Sequence, residues 1–134
     1  MTYWIKITPD LERAKNLLRQ SEIRLEDASN KDQKKFSTLI IEAYYEIIKE
    51  LLTALLVAEG IKVLDHIALI DYVREHHSKI LTEEEIRIID ELRKIRHKIS
   101  YEGFSITEDY CNRRTPLAKT LIDKIKKIVE QKIK

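Results

Sequence analysis

The sequence predicts an all-α protein, an up-down bundle of four to five helices. Three observations lead there. Apolar residues recur every three or four positions over long stretches, the period of helices that bury one face. Only two glycines and two prolines occur in 134 residues, too few for a sheet protein with many tight turns. Helix-start residues stand ahead of the periodic stretches, at Thr8-Pro9, Asp65, Thr82 and Thr115-Pro116.

The chain opens with "MTYWIKI", an extended-looking segment that alternates at Tyr3, Ile5 and Ile7 and suits a packed arm. Thr8 and Pro9 then read as N-cap and first residue of helix one, with Asp10 and Glu12 in its first turn. Leu11, Ala14, Leu18, Ser21, Leu25 and Ala28 form one narrow stripe. "SNKDQ" (29–33) breaks it. The second helix is expected from about Lys34 to Glu59. Its stripe of Phe36, Leu39, Ile40, Ala43, Ile47, Leu51, Leu55 and Leu56 is widened by Tyr44, Ile48 and Leu52. So wide an apolar face implies a central helix or a subunit interface. Gly60 reads as its C-cap.

Asp65 caps a short third helix, whose last turn holds Arg74, His76 and His77, residues that suit a helix C-terminus. Thr82 and Glu85 form a capping box for the fourth helix, and Gly103 ends it. "FSITEDYCNRR" is expected to be an irregular connection with room for one helical turn. Thr115 and Pro116 then open a fifth helix, with Leu117, Leu121, Ile125, Ile128 and Val129 inward.

Length suits one domain, residues 1–134, with a core large enough to need no staples. A net charge of +2 favours no particular partner, so any nucleic-acid contact needs a local basic patch. One cysteine, Cys111, excludes an internal disulfide and fits a reducing cytosol. The first residues lack a signal-peptide core, and Glu46, Lys49 and Glu50 interrupt the greasiest segment. The expectation is a cytoplasmic protein with no membrane association. Abundant Ile, Lys and Glu with scarce Cys, Met and Gly would suit a thermophile. No Gly-rich phosphate loop occurs, and the four histidines have no metal-ligand spacing. No cofactor and no metal are expected.

The fourth helix is the unusual element. At roughly 100° per residue, Ile88, Leu92, Ile95 and Ile99 make an ordinary core stripe. Arg87, Glu91, Lys94 and Lys98 make a solvated side. A third face begins with Ile86 and Ile89 and continues with Arg93, Arg96, His97 and Ser100, Tyr101 at its edge. That face turns from apolar to basic along its length, as the wall of a cleft would. Arginine offers a planar fork for phosphate or carboxylate. Histidine exchanges protons near neutral pH. Serine and tyrosine hydroxyls donate and accept hydrogen bonds. Basic residues also favour helix C-termini for dipole reasons alone, so a solvated helix end is a second reading.

The stretch "LRKIRHKISYEG" (92–103) resembles the signature helix of the HEPN family. That signature is an Arg, a polar residue, a short gap and a His, often after an earlier "LR". "IIEAYYEIIKELLTALLVAEGIKVLDH" (40–66) is similar to the family's second-helix pattern, with Ala43, Tyr44, Glu46, Ala54, Leu55, Gly60 and His66 at matching places. The likeness runs from the first helix to the fifth and rests on order, length and spacing together. It implies a helical bundle, usually a homodimer whose motif helices line a shared cleft. It implies either a metal-independent ribonuclease, often a toxin, or the nucleotide- or RNA-binding partner of a small nucleotidyltransferase in a toxin–antitoxin-like system. Arg96 matches the motif Arg. His97 stands at the polar position, and Tyr101 stands where the motif has His. A phenol, whose ordinary pKa is near 10, is a poor base at neutral pH. The expected ligand-binding set is therefore Arg93, Arg96, His97, Ser100 and Tyr101. If the protein is an enzyme, Arg96, His97 and Tyr101 are its catalytic candidates. A third possibility is a structural helical dimer whose arginines only pair with carboxylates such as Glu22, Glu26 or Glu46.

Overall fold

The computed structural model describes residues 3–134. A short strand, β1 (Trp4–Lys6), precedes helices α1 (Leu11–Ser29) and α2 (Ser37–Glu59). Strand β2 (Ile61–Val63) then leads into α3 (His66–His76), α4 (Glu83–Glu102) and α5 (Glu108–Ile133). The architecture is the expected helical bundle, with one two-stranded antiparallel ribbon added.

Helix α2 is the axis of the bundle, packed against α1, α5 and α4. Ile40, Ile41, Tyr44, Tyr45, Ile47 and Ile48 are all essentially buried. A helix apolar on most of its circumference must sit inside. Its one polar side carries Glu42, Glu46, Lys49 and Glu50, and Leu39 falls on that side at roughly 100° per residue. Leu39 is thus half exposed, not inward as its place in the stripe suggested.

The N-terminal segment differs from expectation in two ways. First, β1 pairs with β2 in the register Trp4↔Val63, Ile5↔Lys62 and Lys6↔Ile61. The side that packs is that of Trp4, edge-on against Tyr72 at 5.3 Å, while Tyr3 and Ile5 stay half exposed. Residues 1 and 2 of the expected arm lie outside the described residues. Second, α1 starts later than Thr8-Pro9 predicted. Ile7 N–H donates to the Gly60 carbonyl at 2.8 Å and Asp10 N–H to the Val57 carbonyl at 3.1 Å. Residues 7–10 are tied to the end of α2, so Asp10 becomes the N-cap and accepts from Arg13 N–H at 3.0 Å. Leu11, now the first residue of the helix, is exposed.

Gly60 is required where residue 7 runs alongside the end of α2. It caps α2 with φ +81°, and a Cβ there would stand 2.7 Å from the Ile7 carbonyl oxygen. Gly103 caps α4 in the same conformation, with open space around it.

The largest correction concerns α5. The stretch expected as an irregular connection is mostly helix, and only Gly103–Ile106 links α4 to the Thr107 N-cap. Thr107 accepts from Tyr110 N–H at 3.2 Å, with Glu108 and Asp109 in the first turn. Thr115 and Pro116 do not open the helix; they lie within it. Tertiary contacts hold the first turns. Cys111 and Thr115 are buried, and Tyr110 and Arg114 both bond Glu91 of α4. Thr115 donates to the Cys111 carbonyl at 2.8 Å. The carbonyl that Pro116 leaves without an N–H belongs to Asn112, an exposed residue. Leu117 faces outward because Cys111, Ala118, Ile122, Ile125 and Val129 occupy the inward stripe.

Candidate functional site

Helix α4 starts inside the bundle and ends at its surface. The Thr82–Glu85 capping box is complete, and Ile86, Ile89 and Leu92 are buried beyond it. One turn later Arg93 and Arg96 are half-buried, and His97, Ser100 and Tyr101 are exposed. The apolar-to-basic face therefore emerges into an open cleft of about 450 Å³. Arg93, Arg96, His97 and Tyr101 form one wall, and Asp65, His66 and Ile67 at the start of α3 form the other. Ser100 is not part of this lining.

Each arginine is held by a carboxylate. Arg93 Nε donates to Asp90 Oδ1 at 2.8 Å, one helical turn back. Arg96 Nε lies 2.8 Å from Glu46 Oε1 on α2. Of the partners the sequence offered, Glu46 is the one that meets Arg96. Among the described residues Glu22 pairs with Lys126, at 4.0 Å. The Arg96–Glu46 contact is close but not aligned as a hydrogen bond, so both buried atoms keep unspent bonding capacity.

Glu46 also pairs with Lys49 at 2.7 Å. Burial pushes its carboxyl up, but Lys49, Arg96 and Arg24 outweigh that and hold it below the ordinary carboxylate value. Asp90 is likewise held low against its burial, by Arg93 and Lys94. The site thus keeps fixed charges of both signs across the neutral range.

Below this wall lies a group that spacing did not reveal. Tyr45 is buried, and its hydroxyl sits 2.8 Å from His66 Nδ1. Burial pushes the Tyr45 phenol up to about 12, more than nearby Arg93 can offset. Burial, together with Lys49 and Arg96, pushes His66 down from its ordinary value, so its imidazole is neutral at pH 7. The His97 and Tyr101 rings lie 4.6 Å apart between centroids, tilted by 41°, and form the outer lip.

The structure thus brings together Arg93, Arg96, His97 and Tyr101 and leaves Ser100 apart. It adds His66, Asp65, Tyr45 and Glu46. The i, i+4 spacing of Arg93, His97 and Tyr101 was visible in the sequence. The approach of α3 was not, because it depends on the ribbon that turns the chain after Gly60. Cys111 is fully buried, and that burial pushes its thiol up despite the opposing contact with Thr115, which argues against a reactive thiolate. Among the described residues, no group of three His, Cys, Asp or Glu side chains gathers as a metal site.

No curated protein and no solved structure is significantly similar to the chain. The family model described as the HEPN domain matches residues 14–130, from α1 to the last turn of α5 and across the whole cleft. The chain belongs to the HEPN domain family, and with it to a nucleotide- or RNA-related class of helical bundles.

Proposed function

We propose that this protein is a binding module that holds a nucleotide or RNA in the Arg93–Arg96 cleft, as the partner of a small nucleotidyltransferase in a toxin–antitoxin-like system. One observation carries the reading. Two half-buried guanidinium groups and an exposed, tilted His97–Tyr101 ring pair share one open cleft. Guanidinium forks suit phosphate, and the tyrosine and histidine rings suit a base face. Ile67, Leu64 and Tyr101 expose apolar surface at or near the rim. That surface supports a homodimer in which two α4 helices share the cleft.

A ribonuclease is the second reading. It rests on His97, an imidazole beside Arg96 in a cleft wide enough for a phosphodiester. Arg96 would then stabilise the phosphorane charge, and His97 would take the 2′-hydroxyl proton. The carboxylate partners of both arginines favour a third, structural reading.

Total tRNA incubated with the protein in EDTA, beside Arg96→Ala, separates these. The binding reading predicts no cleavage, and labelled RNA or ATP retained at low salt through Arg93 and Arg96. Cleavage that depends on Arg96 would establish the ribonuclease. Neither binding nor cleavage would leave the arginines a structural role. Co-purification with a co-expressed small nucleotidyltransferase tests the partner.

A further inference from the structure

A second concavity, of about 250 Å³, lies on the far side of His66 from the arginine cleft. The two share Asp65 and His66, so they adjoin at those residues. Three cations line the second one: Arg13 of α1, Lys49 of α2 and Lys62 of β2. Arg13 and Lys62 make no ion pair among the described residues, and Lys49 pairs with Glu46. Asp65 is the one carboxylate in the lining, and its Oδ1 already accepts from Ala68 N–H at 2.7 Å. Leu56, Val57 and Leu69 supply an apolar floor. A basic rim over an apolar floor suits a phosphate with its attached sugar.

His66 stands where the two meet, and its hydrogen-bonding state follows from Tyr45. The Tyr45 hydroxyl has no other partner among the described residues. Were it to accept from Nδ1–H, its own proton would be buried and unpaired, which costs the full desolvation of that donor. Tyr45 therefore donates to Nδ1, and the ring proton sits on Nε2. The imidazole is neutral at pH 7, so Nε2 is a hydrogen-bond donor and not a base.

We infer that the concavity of Arg13, Lys49 and Lys62 is a second phosphate subsite, joined to the arginine cleft through a donor at His66 Nε2, so that the ligand is a strand crossing both. This rests on the binding function proposed above and names the extent of its ligand: at least two linked nucleotides.

The test uses a 5′-labelled single-stranded RNA octamer and, separately, ATP. The double variant Arg13→Gln/Lys62→Gln changes two exposed side chains, and circular dichroism checks its fold. It should bind the octamer at least about fivefold more weakly, with a salt slope shallower by about 1–1.4, while ATP affinity is unchanged. His66→Leu should weaken the octamer too, and His66→Gln, which keeps a donor, should restore much of it. Long-range ¹H–¹⁵N correlation of the His66 ring should show the proton on Nε2, a bias that Tyr45→Phe removes. Octamer binding lost in Arg93→Gln but intact in the double variant would overturn the subsite and leave the arginine cleft standing. A proton on Nδ1 would overturn the role of His66. Wild-type protein that binds neither probe would sink both proposals.

Discussion

Glu46→Gln separates a ligand cleft from a structural ion pair most sharply. Glu46 faces two cations that the binding account also needs, Arg96 at 2.8 Å and Lys49 at 2.7 Å. Its side chain is 18% exposed, between a surface pair worth about 0–1 kcal/mol and a buried one whose breaking costs about 3–5. The glutamine keeps shape and removes charge, so the loss in stability should be about 1–2 kcal/mol at pH 7. The pH dependence has a definite sign. The folded carboxyl titrates below the ordinary value of 4.5. Its contribution is therefore full above that value and is lost as pH falls through the folded pKa. Urea denaturation of the two proteins should differ at pH 7 and converge in acid. Binding should move the other way. With its carboxylate competitor gone, the Arg96–Lys49 pair should hold RNA about five- to tenfold more tightly in anisotropy titrations at low salt, about 1–1.4 kcal/mol. Destabilisation without tighter binding would mean that the arginine serves the fold alone. No loss of stability at pH 7 would refute the electrostatic reasoning itself.

Other outcomes follow from the fold. Gly60→Ala meets both a left-handed backbone and the Ile7 carbonyl, whereas Gly103→Ala meets only the backbone conformation. Thermal or urea unfolding should show about 2–3 kcal/mol lost in the first and about 1 in the second. Equal losses would mean that the Ile7–Gly60 approach is not as tight as described. Pro116→Ala restores an N–H in the middle of α5 at an exposed position. It should stabilise the protein by about 2 kcal/mol, the cost of an interior helix proline less its effect on the unfolded chain, and lower stability would contradict a continuous α5. Glu91→Ala strips the acceptor from Tyr110 and Arg114 and should cost about 1–2 kcal/mol in the same assay.

The sequence made the bundle legible where one residue type serves one local purpose. Asp65, Thr82 with Glu85, Gly60 and Gly103 stand where their capping chemistry put them. The wide stripe of α2 marked it as central. Reading failed where tertiary contacts override local signals. Thr115-Pro116 has the form of a helix start, yet the helix is already running, because Cys111 and Thr115 fill the core and Glu91 anchors Tyr110 and Arg114. Thr107 with Glu108 and Asp109 is the start signal that the helix uses. Thr8-Pro9 failed for the same reason, since backbone bonds to Gly60 and Val57 occupy that stretch. In the site, the α4 wall was readable from its helical spacing. The opposite wall was not, because the meeting of His66 with Tyr45 depends on how α3 is set against α2.

The central claim is that Arg93 and Arg96 face a ligand. The most direct measurement is titration of labelled RNA and ATP into wild type, Arg93→Gln and Arg96→Gln at low and moderate salt. The account predicts binding by wild type that weakens about tenfold or more in each variant, with a shallower salt dependence for RNA. Equal affinity in all three folded proteins, or no affinity in any, would contradict it.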